Sequence, residues 1–151
     1  MIFYIQQFHN LICNSNHLNV KKISFFVMPD VNDLRCFDVD IVLVYSKQIH
    51  ETLLTKTAQE YFQLKVGLIR ENPRGLRIIS VEILPEKTYI TKEVNIDPNM
   101  QLIDCMIFCH FTNPNNRVVS KLASLGNNSK IKVHIDQSGI SLMAEESEIN
   151  K

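Results

Sequence analysis

The stretch Phe37-Asp-Val-Asp-Ile-Val-Leu-Val-Tyr45 reads as a β-strand and leads directly into residues 46–66, where apolar side chains recur at helical spacing. In the strand, Val39, Ile41, Leu43 and Tyr45 share one face and Asp38, Asp40, Val42 and Val44 the other. The second face turns apolar midway, the pattern of a strand partly covered on both sides. After it, Ser46 is placed to cap a helix whose broad stripe holds Ile49, Leu53, Leu54, Ala58, Tyr61, Phe62 and Leu64. Opposite lie Lys47, Gln48, Glu51, Lys56, Gln59, Glu60 and Lys65, so the helix is expected to pack on a core. Gly67 or the cluster Asn72-Pro-Arg-Gly75 ends it.

Outward from this unit the chain returns to strands. Residues 20–28 form a first strand, and Pro29-Asp-Val-Asn-Asp33 supplies the proline, Asp and Asn of an exposed turn before residue 37. Beyond the helix, residues 76–84 are a strand stopped by Pro85. Residues 87–96 alternate as an edge or half-exposed strand. Residues 102–111 are the most buried candidate, with Cys105, Ile107, Cys109 and Phe111 on one face and Met106, Phe108 and His110 on the other. A turn at 112–116 precedes a short strand at 118–119. Then Lys130-Ile-Lys-Val-His-Ile135 alternates cleanly, and Gln137-Ser-Gly139 turns it into a last strand at 140–143.

Short strands, proline and glycine turns and one helical excursion predict a mainly β fold, a two-sheet β-sandwich with a helical insertion after the second strand. The competing architecture is an α+β sheet with the helix on one face. The chain divides into an N-terminal segment 1–19, a sandwich domain 20–144 with the insertion at about 46–66, and a flexible tail 145–151. Its 151 residues suffice for one domain with a proper core.

Composition narrows the function. Sixteen basic and sixteen acidic residues leave no net charge, so nothing draws in nucleic acid at long range. The N-terminal run Met1-Ile-Phe-Tyr-Ile is apolar, but Gln6, Gln7, His9 and Asn10 interrupt it and no Lys or Arg precedes Lys21, unlike an export signal. Of the four cysteines, Cys13, Cys36, Cys105 and Cys109, the last two lie ~13 Å apart on one strand, beyond disulfide reach, and are expected to be buried thiols. A metal site of Cys105, Cys109 and His110 fails because His110 faces away from both thiols. His50-Glu51, His110, and His134 with Asp136 are the groups with acid–base chemistry. They come without a nucleophile elbow, a zinc-protease helix or a phosphate loop. No catalytic residue, cofactor or small-molecule substrate is assigned, and the expectation is a protein that is not an enzyme.

The order of Pro29-Asp-Val-Asn-Asp33, Val42-Leu-Val-Tyr45, Glu60-Tyr-Phe62, Ile83-Leu-Pro-Glu86, Phe111, Ile131-Lys-Val-His-Ile-Asp136 and Gly139-Ile-Ser-Leu142 resembles TssJ, the outer-membrane lipoprotein family of the bacterial type VI secretion system. The likeness spans about residues 22–143. It implies a transthyretin-like sandwich in the periplasm, a lipid anchor on the outer membrane, and docking on the periplasmic part of TssM, an inner-membrane partner. The family's docking loop maps here onto Pro29, Asp30, Val31, Asn32 and Asp33, with Leu34 and Arg35 beside them. The anchor would fall on Cys13, whose flank carries Asn10 where a lipobox has Leu and Ile12 where it has a small residue. The alternatives are a cytosolic protein-binding adaptor of similar fold, or a small hydrolase or transferase working from a polar pocket lined by His110 or His134.

Overall fold

Strand β2 (Phe37–Val44) is buried at every residue but Asp38, because it lies in the middle layer of three. The computed structural model describes residues 20–84, 86–111, 119–121, 129–137 and 139–143, so Cys13, the segment 1–19, the turn 112–116 and the tail lie outside the described residues. Within them the elements are β1 (Lys22–Val27), β2, α1 (Lys47–Leu54), α2 (Ala58–Glu71), β3 (Leu76–Ile83), β4 (Tyr89–Glu93), β5 (Asp104–Cys109), β6 (Val119–Lys121), β7 (Lys130–Asp136) and β8 (Gly139–Met143). They form two four-stranded sheets, β4-β1-β7-β8 and β3-β2-β5-β6, a β-sandwich. Every pairing is antiparallel except β1 with β7, which run in parallel from Lys22 beside Lys130 to Val27 beside Ile135.

Two cores follow from the alternation in β2 and β5. Between the sheets, Val39, Ile41, Leu43, Cys105, Ile107 and Cys109 meet Ile23, Phe25, Val27, Ile131, Val133 and Ile135. On the outer face of the second sheet, Val42, Val44, Met106 and Phe108 meet Ile49, Leu53, Ala58 and Tyr61 of the helices. Each fully buried Val, Leu, Ile, Phe or Met among them contributes about 1.5–3 kcal/mol through removal of apolar surface from water. The α+β alternative has only the second of these cores. The sandwich has both.

The helical insertion is two helices, not one, and it extends beyond residue 66. Thr57 caps α2 by accepting from Glu60 N while the Glu60 carboxylate accepts from Thr57 N, a reciprocal pair that restarts the helix after Thr55. Helix α2 then passes through Gly67 and stops at Asn72, whose side chain donates to Leu68 O. Gly75 closes the return to the sheet. Its carbonyl accepts from Tyr45 N and Ser46 N, and a side-chain carbon there would collide with Ile49 Cδ1.

Two carboxylates fasten the helical layer. Asp40, fully buried in β2, accepts from Tyr61 Oη at 2.7 Å and Ser80 Oγ at 2.7 Å and pairs with Lys65 Nζ at 2.8 Å. Asp104 at the start of β5 holds His50 Nε2 at 2.8 Å and its own strand's Cys105 N at 2.8 Å. Lys65, expected on the solvent face, therefore reaches inward, while Leu54 and Leu64 of the expected apolar stripe are partly exposed.

Candidate functional site

The turn between β1 and β2 is built around a buried residue. Val31, only 3% exposed, drops into the core between the sheets and opens a 3-10 turn, Val31–Leu34. This corrects the expectation of an exposed turn at Val31, whose side chain is packed in the core and positions the segment. Asn32 is half-buried, and its side chain turns back to donate to Arg35 O and Cys36 O at 3.4 and 3.2 Å. Gln137, in the turn between β7 and β8, donates to the Asp30 carboxylate at 2.9 Å. The loop is tied at its root, in its middle and to its neighbour.

Pro29, Asp30, Leu34 and Arg35 face outward. Asn32 and Leu34 both have positive φ, 55° and 60°. Asn tolerates that region, whereas for a bulky residue such as Leu it costs of order 1–3 kcal/mol and persists only where the surroundings impose it. Leu34 is also 64% exposed. An apolar side chain held in a strained conformation and pointed at water is the strongest functional signal at this end of the sandwich. Met28 and Leu84, which follow β1 and β3 at this end of the sandwich, are also exposed.

Among the described residues the histidines do not converge. His110 stacks on Phe62 of α2 at 4.4 Å, and His50 is engaged by Asp104 on the helical side. His134 sits on the outward face of the other sheet with Asp136 at 3.7 Å, a half-exposed pair. Neither His110 nor His134 lines the cleft formed at the far end of that sheet. Among the described residues, no three His, Cys, Asp or Glu side chains are grouped so as to hold a metal ion, and no helix is long and apolar enough to cross a membrane.

Burial pushes the Cys105 and Cys109 thiols well above their ordinary value near 9.0, with Asp104 and Asp40 adding to it respectively. Burial, then Asp40, raises the Tyr61 phenol in the same way. Folded, these groups keep their protons where the unfolded chain would lose them. The contribution of the two thiols is fully present below pH 9 and declines as pH rises past it, by about 1.4 kcal/mol per pH unit per group, and that of Tyr61 declines in the same way only above pH 10. Urea unfolding between pH 8 and 10 should show this fall. Alkylation of the native protein mapped by mass spectrometry should label exposed Cys36 while sparing Cys105 and Cys109. Equal labelling of all three would contradict the packing of β5.

Neither a protein-family model nor a curated protein matches the sequence. Solved structures do match the fold. Lip of Serratia marcescens, described as a membrane-bound component of the type VI secretion system, aligns with TM-score 0.56 and 11% identity over 84% of this chain and 99% of its own. The type VI lipoprotein TssJ1 of Pseudomonas aeruginosa aligns with TM-score 0.58 and 10% identity, over 83% of this chain and 95% of its own. A chain of a type VI membrane complex gives 0.59 and 12%, over 82% and 98%. The fold is TssJ-like.

Proposed function

From a TssJ-like sandwich as premise, we propose that this protein is a non-enzymatic component of a type VI secretion envelope assembly. It sits on the periplasmic side of the outer membrane and docks on the periplasmic part of a TssM-like inner-membrane protein. Coverage carries the reading: nearly the whole of each type VI structure has a counterpart here. That similarity favours the envelope over a cytosolic adaptor, and attachment through Cys13 belongs to the same proposal.

The 29–35 loop is the docking element, with Leu34 as the apolar contact and Pro29, Asp30 and Arg35 around it. Val31 and Asn32 hold its shape, and Asp33 completes the turn. Interfaces concentrate their energy in a few well-buried side chains, so Leu34→Asp should weaken capture by about thirtyfold, the loss expected at a hot spot. A pull-down from envelope and cytosolic fractions of the native host, with mass spectrometry of retained proteins, tests this. Wild type should retain a large inner-membrane secretion protein, and neither Leu34→Asp nor Asn32→Ala/Asp33→Ala should. Undiminished capture by both variants would remove the loop from the interface. A purely cytosolic protein with other partners would sink the envelope role.

A further inference from the structure

At the end of the sandwich opposite the 29–35 loop, β1, β4 and β7 frame a cleft of about 470 Å³. Three lysines, Lys21, Lys22 and Lys130, line it against one carboxylate, Glu93, with Asn95 and Ser129 supplying neutral polar groups. The whole chain carries no net charge, so this is a local concentration. Its frame is rigid: Lys21 N and Lys22 N both donate to Ser129 O at 2.7 and 3.0 Å, and Val94 N donates to Lys21 O at 2.8 Å.

Register sharpens the charge. Lys22 stands beside Lys130 on β7, and like charges directly opposite in a ladder repel. Glu93 faces Lys22 from β4, yet among the described residues none of the three ammonium groups has an ion-pair partner within 4.0 Å. Lys132 follows on the same outward face, beside Ser24. The exposed Tyr89 hydroxyl is held below the ordinary phenol range, first by hydrogen bonds with Ser24 and Thr91 and then by the fields of Lys22 and Lys132. Positive charge thus extends from the cleft along the outward face of the sheet as far as Lys132.

The location adds the second argument. Val20 is itself a wall of the cleft, and the sequence upstream of it opens on an apolar run. Attachment at Cys13, seven residues before Val20, would hold the cleft within about 25 Å of the lipid surface. We propose that the cleft receives the phosphates of anionic phospholipid headgroups, so that this end of the sandwich lies against the membrane and the 29–35 loop points away. The inference rests on the envelope reading above. It adds a lipid preference that an acyl anchor alone would not confer.

A lysine close to an anionic bilayer is worth about fivefold in binding, so three of them, offset by Glu93, should give a preference of about tenfold or more. The full chain is floated with vesicles of phosphatidylcholine alone and of phosphatidylcholine with phosphatidylglycerol. Wild type should favour the anionic vesicles about tenfold, and Lys21→Gln/Lys22→Gln/Lys130→Gln should lose that preference. Arginine at the same three positions should keep it, as should Lys47→Gln/Arg70→Gln/Lys87→Gln, which removes equal charge elsewhere. Equal binding to both vesicles, or equal loss in both glutamine triples, overturns the proposal. Displacement by inorganic phosphate would instead assign the cleft to a soluble anion. The envelope reading survives each of these failures, because host fractionation and partner capture are scored separately.

Discussion

Phe108→Ala should lower the unfolding free energy by about 3–5 kcal/mol, a large share of the ~5–15 kcal/mol that holds a domain together. Phe108 is fully buried in β5, the strand between β2 and β6, and it points at the helices. Tyr61 stacks on it at 4.1 Å with the rings nearly parallel, and Phe62 meets Tyr61 edge-on at 5.0 Å. Truncation removes the floor of this aromatic run. Tyr61 cannot collapse into the space, because Asp40 holds its hydroxyl. The loss should therefore approach the cavity limit. Urea unfolding followed by far- and near-ultraviolet circular dichroism measures it, and a change below about 1 kcal/mol would contradict the packing of α2 on the sheet. Partner capture under native conditions should persist, since the 29–35 loop is rooted in the other core.

Lys65→Met should cost about 3 kcal/mol, the low end for breaking a buried pair, because the lysine side chain is 26% exposed while Asp40 is wholly enclosed. Methionine keeps the stem and removes the ammonium, leaving the Asp40 carboxylate with Tyr61 and Ser80 alone. A charge so placed is far more costly than an unpaired neutral group. The double variant Asp40→Asn/Lys65→Met should recover part of the loss, since it removes the stranded charge. Equilibrium unfolding of the four proteins closes the cycle. Additive losses would mean that the lysine and the aspartate act independently, against the geometry.

The sandwich was legible because its strands alternate cleanly, and β2 and β5 declared a second covered face through Val42, Val44, Met106 and Phe108. The break in the helix was also written in the sequence, as Thr57-Ala-Gln-Glu60, but the continuous apolar stripe masked it. Asp40 and Asp104 were not legible as fasteners. An acidic residue in a strand looks the same whether it meets water or a lysine arriving from a helix, and only tertiary packing separates the two. Val31 illustrates the same limit at the candidate site, for a polar turn can carry one core residue without any change in periodicity. The strain at Leu34 depends on backbone angles that no composition reports.

Strand β1 joins the two ends of the molecule proposed to meet membrane and partner. Its six residues, ~20 Å of chain, run from the cleft to the loop, bonded to β4 on one side and to β7 on the other. Tension applied between the chain upstream of Val20 and the 29–35 loop would act along this strand. In that direction both ladders are sheared, and their hydrogen bonds must yield together instead of opening one after another. Resistance to such a pull is set by the unfolding rate rather than by equilibrium stability. The strand is thereby suited to serve as a tether between two attachments that move.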